Sequence, residues 1–267
     1  MSVSRSARLL STLFFSAVAA CAVAQSKPDF QPEVGQQGKD VVWVPSPQEL
    51  VDKMLEMAKV TSKDFVMDLG SGDGRTVITA AKHGATALGI EYNPDMVALS
   101  RRNAEKAGVA GKASFQEADI FKTDLSKATV ITLFLLTDLN LKLRPTILTL
   151  KPGTRIVSNT FTMAEWEADE TGTAGGDCTT WCTALLWIVP AKVEGTWGTS
   201  AGDLTLKQEF QKLSGTLGSA AISDAKMLGE DIMFTVGKTK YTGKVSGTTM
   251  SGTMSVGATG SWKATKK

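Results

Sequence analysis

The stretch Phe65-Val66-Met67-Asp68-Leu69-Gly70-Ser71-Gly72-Asp73-Gly74-Arg75 constrains the fold of this chain more than any other. Phe65 to Leu69 is short and, but for Asp68, apolar, as expected of a strand covered on both faces of a parallel sheet. Gly70, Gly72 and Gly74 alternate through a turn, where glycine allows positive φ and close approach of a ligand to the backbone. Val77, Ile78, Ala80 and Ala81 then give a helix an apolar side. A strand, a glycine turn and a helix N-terminus together make a site for a nucleotide-like ligand.

The same alternation continues downstream. Apolar runs at 85–90, 112–116, 128–136, 154–159 and 183–189 read as strands. Pro94 to Ala107 reads as a helix, and 139–150 as a helical stretch interrupted by Pro145. Before the glycine turn, Ser46-Pro47-Gln48-Glu49 predicts a helix start with Ser46 as cap and Pro47 in the first turn. Strands and helices in alternation predict a doubly wound, parallel α/β sheet. Residues 163–182 are polar and glycine-rich, with a local acidic cluster at Glu165, Glu167, Asp169 and Glu170. From Val193 the character changes to Gly, Thr and Ser with short alternating runs, and Ser-Gly-Thr recurs at 214–216, 246–248 and 251–253. This predicts a β-meander forming a small barrel or sandwich, its core closed by Trp197 and Trp262.

The first 24 residues have the pattern of a secretory signal: Arg5 and Arg8, the apolar run 9–20, and Ala22-Val23-Ala24 before Gln25. A second reading takes Val18-Ala19-Ala20-Cys21 as a lipoprotein box with Cys21 as the lipidated N-terminus; a third leaves an uncleaved anchor. The run is too short for a membrane span, and no other span is present in the sequence. The expected organisation is a signal peptide over 1–24, a flexible linker over 25–42, an α/β domain over 43–190 and a small β domain over 191–267. The expected location is periplasmic or secreted. In an oxidising compartment Cys178 and Cys182 are either a disulfide or two buried thiols. A zinc site is not expected, because His83 is the one histidine of the chain. Without Arg5 and Arg8 the 29 basic residues become 27, equal to the 27 acidic ones. That balance argues against a nucleic-acid partner, which needs a basic surface.

The turn itself narrows the ligand. A dinucleotide fingerprint would need G-x-G-x-x-G, and a P-loop would end in Gly-Lys-Ser/Thr; neither is present. Asp68 just ahead of the turn suits pyrophosphate poorly and suits a ligand carrying a cation and hydroxyls well, such as S-adenosylmethionine (SAM). Glu91 ends the second strand, where its carboxylate can accept both ribose hydroxyls. Asp119 follows the third, where it can reach an adenine amino group. Carboxylates at three successive strand ends form one site. The expected cofactor residues are Asp68, Gly70, Ser71, Gly72, Asp73, Gly74, Glu91, Tyr92, Asn93, Asp119 and Ile120, with no metal.

Asp68-Leu69-Gly70-Ser71-Gly72-Asp73-Gly74-Arg75 resembles motif I of class I SAM-dependent methyltransferases. Trp43-Val44-Pro45-Ser46-Pro47, Gly89-Ile90-Glu91-Tyr92-Asn93-Pro94, Ser100-Arg101 and Asp119-Ile120-Phe121 narrow the resemblance to the family of the ATP synthase c-subunit lysine N-methyltransferase and its bacterial relatives. It covers about residues 41–166. The resemblance implies a seven-strand, mostly parallel Rossmann-like sheet and SAM as cofactor. It differs from the family pattern at Thr137 and at Asn159-Thr160-Phe161-Thr162, which border the methyl-acceptor side. Acceptor-side candidates are Trp43, Pro45, Leu136, Thr137, Asn159 and Phe161. The implied function is SAM-dependent methyl transfer to a protein lysine or a small molecule. The competing reading, prompted by the leader, is an exported binding module or inactive relative with an envelope role, because SAM does not cross a membrane unaided.

Overall fold

The computed structural model describes residues 30–267; the leader, its cleavage site and Cys21 lie outside the described residues. Seven strands form one sheet in the order β3-β2-β1-β4-β5-β7-β6. They are β1 (Phe65–Leu69), β2 (Thr86–Glu91), β3 (Ala113–Glu117), β4 (Val130–Leu133), β5 (Arg155–Asn159), β6 (Glu170–Thr173) and β7 (Thr183–Ile188). The first five run parallel; β7 is antiparallel to both β5 and β6. The strand order reverses between β1 and its neighbours β2 and β4, which opens a crevice at the carboxyl ends of these strands.

Both faces of the sheet are covered, and this is why β1 and β4 are apolar except at Asp68 and Thr132. Val66 and Val130 pack under α1 (Gln48–Met57), α2 (Arg75–Lys82) and α3 (Pro94–Lys106). Met67, Leu69, Ile131 and Leu133 pack on the other face with α4 (Thr137–Ile147) and with Trp166 and Trp187. Beneath β1, Asp64 meets Arg155 and accepts hydrogen bonds from Thr129 and the Thr61 amide.

The remaining strands, β8 (Gly195–Thr199), β9 (Gly202–Glu209), β10 (Lys212–Leu217), β11 (Ala220–Leu228), β12 (Asp231–Val236), β13 (Thr239–Ser246), β14 (Thr249–Val256) and β15 (Ala258–Lys266), close into an antiparallel barrel. Its interior is filled by side chains, as expected at this strand number. Phe234 stacks on Tyr241 at 4.6 Å, and Trp262 meets both edge-on. Trp197 is fully buried and donates to Val193 O. Phe210, between β9 and β10, reaches the sheet unit and stacks on Trp166 at 5.9 Å.

Several local expectations are corrected. Pro47, not Ser46, is the cap residue of α1, because its ψ of 141° is non-helical while its carbonyl already accepts from the Val51 amide. α4 begins at Thr137 and runs through Pro145 rather than being interrupted by it. β4 is only Val130–Leu133; the apolar residues after it line the crevice instead of extending the strand. The polar segment 163–182 contains an edge strand, β6. Of residues 25–42, expected as flexible linker, the described 30–42 fold into a strap: Gly35 N donates to Trp43 O, Trp43 N to Gln36 O and Gly38 N to Val41 O.

Candidate functional site

The crevice at the ends of β1, β2 and β4 is a cavity of about 500 Å³, the size of a small-molecule site. Its floor is the glycine turn. The turn is fixed from several sides: Ser100 Oγ donates to Gly72 O at 2.7 Å, Asn103 Nδ2 to Asp73 O at 2.9 Å, and the Gly70 and Ser71 amides to Ile90 O. Arg75 bonds the Asp73 carboxylate through Nε and Nη2, and donates to Ser46 O through Nη1 at 2.7 Å. This ties the turn to the segment that enters α1. Gly72 has φ +53°, and a Cβ there would stand 2.6 Å from Trp43 Nε1.

The three predicted carboxylates converge on this cavity. Asp68 is buried and accepts from Thr132 Oγ1 at 2.6 Å. Burial pushes its carboxyl up to about 7, with the Thr132 hydrogen bond opposing and the charges of Glu91 and Asp73 adding. Glu91 accepts from the Gly72 amide at 3.0 Å through one oxygen and from the Asn93 amide at 2.9 Å through the other. Each oxygen keeps a lone pair for a hydroxyl. Asp119 accepts from the Phe121 amide at 2.9 Å and from Lys39 Nζ at 3.1 Å; the amide first, and then the ammonium, hold its carboxyl below the ordinary range. Asn93 caps α3 by accepting from the Asp95 and Met96 amides.

Asp68, Gly70, Ser71, Gly72, Asp73, Glu91, Tyr92, Asn93, Asp119 and Ile120 all line the cavity. Gly74 does not. It starts α2 in the left-handed region, and a Cβ there would meet the Phe115 ring at 2.8 Å, so it serves turn and packing. On the acceptor side Trp43, Pro45, Leu136 and Phe161 line the cavity. Thr137 and Asn159 do not: Thr137 opens α4 one residue beyond the lining, and Asn159 is fully buried, donating to Ser46 Oγ at 3.2 Å. Sequence reasoning missed Lys39, Phe134 and Trp181, all of which line it.

These residues fit SAM. The walls are largely apolar, the polar groups are carboxylates and backbone amides, and Ser71 Oγ is buried without a hydrogen-bond partner in the protein. Among the described residues no His, Cys, Asp and Glu group could hold a metal ion.

Comparison with known proteins agrees with this geometry. A family model described as the ANTKMT methyltransferase domain matches residues 68–170. A protein-lysine N-methyltransferase of Saccharolobus islandicus is 47% identical over 133 residues, 49% of this chain and 83% of the relative. The mouse ATP synthase c-subunit lysine N-methyltransferase is 36% identical over 143 residues, 52% of this chain and 56% of that protein. A Salinibacter ruber crystal structure, described as an RNA methyltransferase in complex with S-adenosyl-L-homocysteine, aligns at TM-score 0.52 and 45% identity, covering 56% of this chain and 96% of that one. The chain belongs to the class I SAM-dependent methyltransferases, in the family of the ATP synthase c-subunit lysine N-methyltransferase and its prokaryotic relatives.

Proposed function

We propose that this SAM-dependent methyltransferase acts on lysine side chains of a protein. The observation that carries the reading is a single cavity with two unlike halves: an acidic cradle at Asp68, Glu91 and Asp119, and an apolar half lined by Pro45, Leu135, Leu136 and Phe161. The lysine methyltransferases of Saccharolobus and mouse support a protein acceptor. The near-equal numbers of basic and acidic residues disfavour RNA, the acceptor class named for the Salinibacter protein.

When bound, SAM would supply an electrophilic methyl group to an acceptor lone pair, with its thioether sulfur as the leaving group. The chain's task is to hold the acceptor in line and exclude water. Asp68, Glu91, Asn93 and Asp119 would hold the cofactor. The acceptor amine must be neutral, and among the described residues no dedicated base lines the acceptor half. Desolvation by Leu135 and Leu139 does this work, because burial lowers an amine's pKa.

The leader and the disulfide between Cys178 and Cys182 support an exported protein, since disulfides persist in oxidising compartments. In this reading residues 43–190 are the SAM unit and 191–267 a β domain with a packing role. Incubating purified protein with methyl-labelled SAM and candidate protein and RNA fractions tests the function. Label in protein lysine is expected; label in RNA, in small molecules only, or nowhere overturns it. Mass spectrometry of the mature N-terminus separates Gln25 from a lipidated Cys21.

A further inference from the structure

Three aromatic rings from three separate loops meet on the acceptor half of the cavity. Phe134 follows β4, Phe161 follows β5, and Trp181 lies inside the Cys178–Cys182 loop ahead of β7. Ring centroids are 6.0 Å apart for Phe134–Phe161, 5.8 Å for Phe134–Trp181 and 5.4 Å for Phe161–Trp181. The two phenylalanines are half-buried, whereas Trp181 is 39% exposed at the rim.

The loops that present these rings are constrained. Trp181 has φ 58° and Thr160, beside Phe161, has φ 59°. Residues with large or branched side chains adopt this region rarely, and persist there only where the surroundings hold them. For Phe161 the holders are Asn140 Nδ2 and Ser158 Oγ, both donating to Phe161 O. For Trp181 the holder is covalent: the disulfide closes the loop on either side of it.

We propose that Phe134, Phe161 and Trp181 form a subsite for an alkylammonium group, the acceptor lysine as it enters and its methylated form as it leaves, and that the Cys178–Cys182 disulfide holds Trp181 in that subsite. This rests on the lysine reading above. Ring faces attract cations, most strongly when the cation is poorly hydrated, as a methylated ammonium is. The charges along the cavity favour a cation as well. Asp68 accepts from the Thr132 hydroxyl and Glu91 from two backbone amides, whereas the cations Lys39 and Arg75 are engaged by Asp119 and Asp73. The rings contact one another at ordinary ring-pair distances, so the ligand meets their outer faces at the exposed rim rather than a slot between them. Capture as a cation at the exposed rim and deprotonation on entering the drier interior at Leu135 and Leu139 are then successive stages.

The test uses the full, oxidised protein saturated with S-adenosylhomocysteine, and two probes of the same shape: choline and its uncharged isostere 3,3-dimethyl-1-butanol, with binding followed by ligand-observed NMR. Choline is expected to bind about three- to thirtyfold tighter. The preference should vanish in Trp181→Ala and persist in Trp181→Phe. It should also vanish in the Cys178→Ser/Cys182→Ser variant and in wild type treated with dithiothreitol. There the S–S bond takes two electrons and two protons to give two thiols, while the dithiol becomes a cyclic disulfide. S-adenosylhomocysteine affinity should stay unchanged throughout, which controls for folding. Equal binding of the two probes, or a preference that survives Trp181→Ala, overturns the subsite. A preference that survives loss of the disulfide overturns its holding role. Trp181-dependent binding of uridine or adenosine tighter than choline overturns the cation in favour of a nucleobase. Failure of wild type to bind S-adenosylhomocysteine would overturn the cofactor site itself, and the subsite with it.

Discussion

Lys39 Nζ lies 3.1 Å from Asp119 Oδ2, joining the strap ahead of α1 to the loop after β3 across 80 residues of chain. The ammonium also lies 5.1 Å from the Tyr92 ring and 5.8 Å from the Phe121 ring. The pair closes one end of the cavity, but it is partly exposed, and exposed ion pairs contribute little. Lys39→Ala is therefore expected to change S-adenosylhomocysteine affinity by less than about fivefold. The difference from wild type should shrink further at high salt. Calorimetry at two ionic strengths checks this; a loss of about a hundredfold, some 2.7 kcal/mol, would mean that Lys39 touches the ligand directly.

Gly72 makes the opposite case. Its φ of +53° already disfavours a side chain, and a Cβ would press on Trp43 Nε1 at 2.6 Å. Gly72→Ala thus carries a backbone cost of about 1–2 kcal/mol plus displacement of the strap. S-adenosylhomocysteine affinity is expected to fall at least about tenfold, since about 1.4 kcal/mol is already that factor. Adding Trp43→Ala removes the collision but not the backbone strain, so stability measured by denaturant unfolding should recover in part. Full recovery would show that φ costs nothing there.

How far the sequence is legible follows from the kind of signal each residue carries. Asp68, Glu91 and Asp119 are readable because a parallel sheet places successive strand ends side by side, whatever the loops do. Lys39 is not: Gln36-Gln37-Gly38-Lys39 has the composition of a linker, and its order comes from the turn at Gly38 and from contact with Asp119. Trp181 is legible only as a residue between two cysteines; nothing local says which cavity the loop overhangs. β6, Glu170-Thr171-Gly172-Thr173, is an exposed edge strand with no apolar alternation to reveal it. In the barrel, β11 shifts register between Ser223 and Lys226, with Asp224 at φ 49°, and this breaks the period-two pattern. The filled barrel core, by contrast, is announced by its large aromatics Trp197 and Trp262.

Asp68 predicts a pH dependence. Burial, opposed by the Thr132 hydrogen bond, raises its carboxyl from 3.8 to about 7. The unliganded fold therefore keeps a proton that the unfolded chain gives up near pH 3.8. That contribution to stability is fully present below about pH 3.8 and is lost as pH rises through about 7. Asp68→Asn cannot ionise, so without ligand it should be more stable than wild type at about pH 8, by up to a few kcal/mol. The gap should narrow as pH falls below about 7 and close only near pH 3.8. An ammonium beside Asp68 prefers its ionised form, so S-adenosylhomocysteine, which carries an amino-acid ammonium though no sulfonium, should bind wild type more tightly at about pH 8 than at about pH 6 and bind the variant with little pH dependence. Urea unfolding and calorimetry across this range decide the matter; a wild-type stability curve parallel to that of Asp68→Asn would refute it.

An aromatic stack joins the barrel to the sheet unit, beside an ion pair of Lys212 with Glu167 at 2.7 Å. Trp166 is fully buried and lies 5.9 Å from Phe210 at an interplanar angle of 13°; its carbonyl accepts from the Trp187 indole N–H at 2.7 Å. The Arg144 guanidinium sits 5.4 Å from the Phe210 ring. Gln211 Nε2 donates to Glu167 O across the same junction. Truncating a buried tryptophan costs about 3–5 kcal/mol, so Trp166→Ala should lower the stability of the sheet unit strongly. Phe210→Ala, at a half-buried ring on the barrel side, should cost less and act mainly by loosening the junction. In a double-mutant cycle the two should couple by about 0.5–1.5 kcal/mol. Because neither side chain lines the cavity, S-adenosylhomocysteine affinity of the folded Phe210→Ala protein should match wild type. Additive effects in the cycle would mean that the stack does not hold the two units together.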